Sequence, residues 1–355
     1  MLTEDGGQKT EDRGFVRLRR AFIKPRRIAA TTLLSSVLCL LSSVSLTACA
    51  TSPEAAQRAK EMAAAQAQEL LVPWQTVTGG RLATGGVDAN GFPLPGGLQG
   101  YIALVFPSAL AARGGDLYIA DSGTRKLYRF DAAFQAMIPV KDVVAMPWTR
   151  MQVGADRSLY VLDAARVSIL HFTRGMQPLQ TLGDPTATAS LDGFVVDGPL
   201  GRIVASDRLS QRLVMFNSLG GAAWPMEHAG EGEFTSLGAL ASAGRTIYAI
   251  DSVCTCIVSM DEPGRILVRI GKGELAQPQA LAADRLGHIF VADAADRTLK
   301  VFLRGELVAK YSAHKLGLIE ISALAVDENT LYIADGPGAR VLSFRIQKQG
   351  LRTED

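Results

Sequence analysis

The stretch Asp116-Leu-Tyr-Ile-Ala-Asp121, a short apolar run that ends on an acidic residue, decides the fold because it recurs along the chain. The other copies end on Asp163, Asp207, Asp251, Asp293 and Asp335. Successive copies are 42, 44, 44, 42 and 42 residues apart, measured between these final Asp residues. A step this constant indicates a repeat architecture in which each copy forms one supersecondary unit.

Each repeat contains strand-like segments of period two, separated by Gly, Pro, Asp or Asn. In the fifth copy they span residues 280–283, 288–292, 299–302 and 306–311, from the innermost strand to the outermost. A four-stranded unit of this size cannot bury both of its faces alone, so the units must pack around a common axis. The sequence therefore predicts an all-β fold, a six-bladed β-propeller, and the even step disfavours a β-sandwich or two separate β domains.

The run Tyr118-Ile-Ala-Asp121, followed by Ser122-Gly-Thr-Arg-Lys-Leu-Tyr-Arg-Phe-Asp131, resembles the NHL repeat, a family whose known architecture is the six-bladed propeller. The resemblance covers residues 107–346. The last copy ends near residue 346 without room for an outer strand, while residues 74–78 form a strand candidate ahead of the first copy. We predict that this strand completes the sixth blade, since pairing the chain ends removes an open sheet edge.

The N-terminus has the order of an export signal: a basic region, a weakly charged apolar region over residues 28–49, and small residues at its end. A permanent membrane span is the alternative. The run Arg19-Arg20-Ala21-Phe22-Ile23-Lys24 resembles a twin-arginine export motif, although Leu18 departs from the usual Ser or Thr. Both this route and the general secretion route stay open.

The four residues Leu46-Thr47-Ala48-Cys49 resemble a bacterial lipobox, in which the Cys thiol is acylated and the preceding peptide bond is cut. The resemblance implies lipidation of Cys49, and two or more acyl chains, at about 0.8 kcal/mol per buried CH₂, hold a domain stably on a bilayer. Ala50 stands where the lipoprotein pattern places Asp for retention in the inner membrane. We therefore expect an outer-membrane anchor that faces the periplasm.

These signals divide the chain into four parts. They are a signal peptide over 1–48, a lipidated N-terminus with an Ala-rich helical tether over 49–72, the propeller over 73–348 and a tail over 349–355. The mature chain keeps 29 of the 37 basic residues and 31 of the 35 acidic residues, so no strongly basic character points to nucleic acid. Export also makes the RNA binding known for NHL propellers inside cells an improbable role here.

Aligning the first strands of the six repeats on the Asp residue predicts what faces the axis. One column, Leu110, Met151, Phe194, Leu240, Leu281 and Leu324, is apolar throughout and is predicted to pack between blades. The residues one position before this column have small side chains, except for Arg150. We place Thr149, Arg150, Asp192, Gln279 and Ser322 at the channel mouth, where Arg150 either binds an anionic group or forms an internal pair with Asp192.

Turns between the second and third strands add positive charge to the same end of the predicted ring, through Arg125, Arg166, Arg208 and Arg297. Such a basic face would attract an acidic partner, a protein, a polysaccharide or a lipid head group. Trp148 and Trp224, each beside a Pro, are further candidates for contact with a partner, although tryptophans more often pack within the protein itself.

The sequence lacks the residues of a familiar catalytic site. No His falls in the predicted channel column, Asp192 is its single carboxylate, and no nucleophile or phosphate-binding motif occurs, so we expect neither a metal nor another cofactor. Cys254 and Cys256 are predicted to form a structural disulfide or to remain idle thiols. We expect a binding or assembly module of the cell envelope, the alternative being a propeller hydrolase or lyase with an atypical channel site.

Overall fold

The computed structural model describes residues 69–347, apart from 86–87, 89–92, 95–96, 184–187, 189, 198–201, 217–223, 227–233 and 235. The predicted leader, Cys49, most of the predicted tether and the C-terminal tail lie outside the described residues. Within the described part, the chain forms 26 strands and no helix. That part accordingly contains no helix long and apolar enough to cross a membrane.

The strands form six antiparallel blades, each built in chain order from the axis outward. Blade 1 contains β4 (Pro107–Arg113), β5 (Asp116–Asp121), β6 (Lys126–Asp131) and β7 (Ala136–Val140). Blade 2 contains β8 (Arg150–Val153), β9 (Leu159–Asp163), β10 (Ser168–Phe172) and β11 (Pro178–Leu182). Blade 3 contains β12 (Leu191–Asp197), β13 (Arg202–Asp207), β14 (Arg212–Phe216) and the short β15 (Trp224–Pro225).

The other three blades follow the same pattern. Blade 4 contains β16 (Leu237–Ala243), β17 (Thr246–Asp251), β18 (Cys256–Met260) and β19 (Ile266–Ile270). Blade 5 contains β20 (Pro278–Ala283), β21 (His288–Asp293), β22 (Thr298–Leu303) and β23 (Glu306–Ser312). Blade 6 contains β24 (Ala323–Asp327), β25 (Thr330–Asp335), β26 (Arg340–Ile346) and, as its outer strand, β1 (Leu71–Val77).

The blades form a closed ring, because each inner strand contacts the inner strands of both neighbouring blades, including β24 with β4. The chain ends close the ring as predicted. β1 pairs antiparallel with β26, from Leu71 opposite Ile346 to Val77 opposite Val341. The sheet begins at Leu71, two residues before the predicted start of the propeller, so the end of the predicted tether belongs to blade 6. The prediction of a six-bladed β-propeller is confirmed.

Blade 1 departs from the predicted four strands. Two additional strands, β2 (Gly79–Ala83) and β3 (Leu98–Ala103), lie between β1 and the first repeat. β2 pairs in parallel with β7, with Arg81 opposite Ala136, and β3 pairs with the other edge of β2. The sheet of blade 1 therefore has six strands, and the repeat pattern could not show this because the added hairpin has no counterpart in the other copies.

The hydrophobic core consists of six layers, one between each pair of neighbouring blades. The predicted packing column supplies one residue to each layer, and its members are all buried: Leu110, Met151, Phe194, Leu240, Leu281 and Leu324. Stacking the blades thus removes from water the apolar surface that one blade could not cover alone. The register assigned to this column from the sequence is confirmed.

The repeat Asp residues fasten the blades. Asp121 accepts hydrogen bonds from the backbone N–H groups of Val105 (2.7 Å) and Phe106 (2.9 Å), which precede the inner strand of the same blade, and also from its own turn. Asp293 is bound similarly and also contacts the buried Lys300 ammonium at 2.6 Å. Burial alone would raise the pKa of Asp293, but the bonds from Lys300, Ala276 and Gln277 hold it below its usual value.

The turn after each repeat Asp has the same backbone conformation in all six blades. The fourth residue after the Asp is left-handed every time, with φ between 49° and 56°, and none of these residues is a glycine; they are Arg125, Val167, Gln211, Thr255, Arg297 and Ala339. Hairpin turns that end on a left-handed residue match the right-handed twist of the strands they join. The six turns therefore lie at equivalent places, at the end of the ring where the inner strands begin.

Candidate functional site

A cavity of about 240 Å³ opens on the axis at this end of the ring, which we call the mouth. Its lining includes four of the five predicted mouth residues, Thr149, Arg150, Gln279 and Ser322. Of the described residues that line it, Arg150 alone is charged. Its Nη1 donates to the carbonyl of Thr149 at 3.3 Å, and no carboxylate of the described residues lies within 4.0 Å of it.

The polar neighbours of Arg150 are already engaged in holding the loops and blades. Thr149 Oγ1 accepts a hydrogen bond from Met146 N–H at 2.8 Å, and Gln279 Nε2 donates to the carbonyl of Ile321 in the next blade at 2.8 Å. Ser322 Oγ accepts from Gly336 N–H at 3.0 Å. These side chains form part of the wall of the cavity, and the Arg150 guanidinium is the charged donor group among the described residues that line it.

The structure does not bring Asp192 to Arg150. Asp192 is missing from the lining of the mouth cavity, and the hydrogen bond of the Arg150 side chain among the described residues goes to the Thr149 carbonyl. A β-bulge at the start of β12, where the pairing with β13 shifts between Leu191 and Gly193, does not explain this. Blades 1 and 5 have a bulge at the equivalent place, and their residues Ser108 and Gln279 line the cavity. The internal Arg150–Asp192 pair considered from the sequence is not formed.

The four turn arginines, Arg125, Arg166, Arg208 and Arg297, are all exposed and lie on the mouth face, as the turn geometry requires. Arg166 has a carboxylate partner, Asp163, at 3.6 Å, but its side chain remains 78% exposed. Exposed apolar side chains occur on loops and turns of the same face: Val105, Trp148, Leu209, Val253 and Ile319. The mouth face thus combines positive charge with scattered apolar groups; the side chain of Trp224 lies outside the described residues.

A disulfide joins Cys254 and Cys256 in the mouth-side turn of blade 4. Cys256 is fully buried in the layer between blades 3 and 4, and Thr255 between the two cysteines has the left-handed conformation shared by all six turns. The bond lies within one turn and closes no larger loop. It belongs to the rim of the mouth and contributes no charged group to the cavity.

The opposite end of the axis holds a larger cavity of about 620 Å³, which the sequence did not indicate. Asp284 borders it and binds His288, with 2.7 Å between Oδ2 and Nδ1, while its other oxygen accepts the N–H groups of Leu286 and His288. These bonds are those of a tight turn between β20 and β21. The pair therefore has a structural task at the turn that it fulfils without a ligand.

A second feature that the sequence did not indicate is a buried charge cluster beside this end of the ring. The Asp116 carboxylate accepts hydrogen bonds from Arg157 Nε at 2.9 Å and from Arg174 Nε at 3.0 Å. Nη1 of the buried Arg129 lies 3.8 Å from Asp116 Oδ1. Burial, together with the Asp116 charge, raises the pKa of the adjacent Tyr118 to about 12 against the opposing effect of the arginines. The cluster joins blades 1 and 2 by charge-assisted bonds.

Among the described residues, no three or more His, Cys, Asp or Glu side chains are grouped closely enough to hold a metal ion. The calcium and zinc sites of proteins take several such ligands. The described channel therefore offers no preformed site of this kind.

The chain is similar to known proteins in its fold, but not in its sequence. No protein-family model matches the chain, and no curated protein matches it in sequence. A gluconolactonase from Xanthomonas campestris is 13% identical, with a TM-score of 0.53 over 78% of this chain and 97% of its own. A Bacteroides thetaiotaomicron protein of unknown function is 12% identical, with a TM-score of 0.54 over 77% and 76%. Virginiamycin B lyase from Staphylococcus aureus is 12% identical, with a TM-score of 0.48 over 69% and 86%. At such identities the likeness shows the propeller fold alone.

Proposed function

We propose that this protein is an exported lipoprotein of the cell envelope, anchored by acyl chains on Cys49, whose NHL-type propeller binds an anionic partner at its mouth face without catalysing a reaction. The observation that carries the binding role is Arg150 in the mouth cavity without a carboxylate partner among the described residues, on the same face as the exposed turn arginines. The anchoring role rests on the lipobox resemblance of Leu46-Thr47-Ala48-Cys49.

The composition of the mouth face supports a macromolecular partner. Surfaces that bind other macromolecules combine arginine and aromatic residues with a polar rim, and a positive surface attracts an acidic partner before contact is made. Trp148 is 57% exposed on this face and Val253 is 64% exposed, beside turns that carry Arg125, Arg166 and Arg208. An anionic polymer or an acidic envelope protein fits this surface.

Replacing Arg125, Arg166, Arg208 and Arg297 by glutamine is expected to weaken binding of polyglutamate and polygalacturonate at least tenfold and to reduce its salt dependence, because exposed charges are screened by salt. The measurement is the affinity of the full-length protein in mild detergent at two salt concentrations. The matched control removes four exposed arginines from the opposite face, Arg245, Arg265, Arg285 and Arg304. Equal losses in both variants would show that net charge, and not the mouth face, determines binding.

A further inference from the structure

The buried charge cluster between blades 1 and 2 contains a guanidinium without a hydrogen bond. Arg129 on β6 is only 2% exposed, and its Nε and Nη2 atoms have no hydrogen-bond partner among the described residues. Asp116 Oδ1 lies 3.8 Å from the third nitrogen, Nη1, which is too far for a hydrogen bond. A buried charge is costly unless it is paired and hydrogen-bonded. The surroundings of Arg129 therefore lack an acceptor.

The two unbonded atoms form the edge with which arginine binds an anion through two parallel hydrogen bonds. In Arg174 the same two atoms, Nε and Nη2, hold the two oxygens of Asp116 at 3.0 and 3.3 Å. In Arg245 they hold the two oxygens of Glu262 at 3.1 and 3.0 Å. Arg129 has this edge free and buried, so the geometry points to an anion as the missing acceptor.

Tyr118 brings a further buried donor to the same layer. It lies directly opposite Arg129 in the β5–β6 pairing, so both side chains are on the face of blade 1 that packs against blade 2. Tyr118 is fully buried, and its hydroxyl has no hydrogen-bond partner among the described residues. Burial and the Asp116 charge raise the pKa of this hydroxyl while the three surrounding arginines lower it, so it lies within reach of the whole cluster.

The bonds within the cluster favour an anion over a water molecule at the free edge. Asp116 is shared by three guanidiniums, and both of its oxygens already accept hydrogen bonds from Arg157 or Arg174. A water molecule would accept bonds from Arg129 and Tyr118, but its own two O–H groups would then need acceptors beside these donors. An anion accepts hydrogen bonds without donating any, and it offsets the uncompensated positive charge.

The packing of the layer limits the size of this anion. Arg129 lies opposite Ile138 of β7, and Ile138 belongs to the same apolar cluster as Leu159 and Phe172 of blade 2. These three apolar side chains are at most 3% exposed. Close-packed interiors contain few voids larger than a water molecule. We therefore expect a monatomic anion and not a polyatomic one.

We propose that Arg129 and Tyr118 bind a chloride ion between blades 1 and 2, at what we call the inter-blade site. The ion accepts hydrogen bonds from Nε and Nη2 of Arg129 and from the Tyr118 hydroxyl. Neither residue belongs to the lining of the two axial cavities, so this inference is independent of the proposed function. Since the site exists only when blade 2 is packed on blade 1, chloride is expected to stabilise the folded protein.

The test measures thermal unfolding of the full-length protein in mild detergent, in sodium chloride and in sodium gluconate of equal ionic strength. Both salts screen surface charges, whereas gluconate is too large for the packed layer. Raising chloride from about 1 mM to about 300 mM at constant ionic strength is expected to raise the unfolding temperature of the wild type by about 3 °C or more. Arg129→Met is expected to abolish this shift, and Tyr118→Phe to require at least threefold more chloride for the same shift.

Two variants serve as matched controls. Tyr332 stands at the position of Tyr118 in the repeat of blade 6, but it lies opposite Ser343 and not opposite an arginine. Arg245 has the same two-atom edge as Arg129, already occupied by Glu262. Tyr332→Phe and Arg245→Met should therefore keep the full chloride shift of the wild type. Any general effect of the two salts is common to all variants and cancels in the comparison.

A second measurement locates the ion without any variant. Crystals of the wild type soaked in sodium bromide are expected to show an anomalous scattering peak at hydrogen-bonding distance from Nε and Nη2 of Arg129. An unfolding temperature of the wild type that is equal in chloride and gluconate would overturn the proposal, as would a bromide-soaked crystal without that peak. A chloride shift that persists in Arg129→Met, or equal shifts in Tyr118→Phe and Tyr332→Phe, would show that the ion does not bind at the inter-blade site as described.

Discussion

Replacing Asp121 with alanine is expected to lower the free energy of unfolding by about 3 kcal/mol. The carboxylate is fully buried and accepts the N–H groups of Val105 and Phe106, so its loss leaves two part-buried donors of the mouth loop without partners. A loss of this size is a large share of the stability of a typical domain. The measurement is the shift of the urea midpoint of the full-length protein in mild detergent.

Asp163→Ala is the matched control, because it removes the same side chain from the same repeat position in blade 2. Asp163 gives up only one long hydrogen bond and one exposed ion pair with Arg166, so the expected cost is below about 1 kcal/mol. Similar costs for Asp121→Ala and Asp163→Ala would contradict the proposed role of the repeat Asp residues in holding the mouth loops.

Replacing Cys49 with alanine is expected to abolish stable membrane attachment and to leave a soluble protein or an unprocessed precursor. The thiol is the acylation site that the lipobox resemblance implies, and alanine offers no atom for acylation. The measurements are cell fractionation and incorporation of labelled palmitate.

Cys39→Ala is the control for this variant, since Cys39 lies in the predicted signal peptide and is expected to be removed with it. This change should leave both palmitate incorporation and fractionation unaltered. Attachment that persists in Cys49→Ala would show that the N-terminal segment holds the protein by another means, such as a permanent membrane span.

The architecture could be predicted from the sequence because it depends on a pattern that repeats. The apolar column from Leu110 to Leu324 and the constant spacing of the Asp residues fix the blades, and the missing outer strand of the last copy implies closure by β1. Features that occur only once could not be predicted in this way, because no repeated pattern marks them. The β2–β3 hairpin of blade 1 and the arginines around Asp116 have no counterpart in the other repeats.

The candidate site was predicted less completely, because side-chain direction depends on local backbone geometry. The residues aligned at the mouth predict Asp192 beside Arg150, whereas the structure leaves Asp192 outside the lining of the mouth cavity. Arg150 lies in the cavity as predicted. The partial exposure of Asp163 was missed because the six repeat Asp residues look equivalent in sequence and differ only in their hydrogen bonds.

The fold by itself does not distinguish a binding module from an enzyme, since propellers support both roles. The mouth face and the cavity at the opposite end differ in the groups they present. The mouth offers an unpaired guanidinium within a basic rim, whereas the Asp284–His288 pair at the other end is engaged in a turn. For this reason we assign the partner to the mouth.

The most direct test of the account is to recover the full-length protein from native membranes in mild detergent, and to identify what remains bound by mass spectrometry, sugar analysis and elemental analysis. We predict a stoichiometric anionic macromolecule, released as salt is raised and missing from the variant that lacks the four turn arginines. A tightly bound metal ion or small molecule with no macromolecular partner would contradict the account and favour a channel-centred hydrolase or lyase.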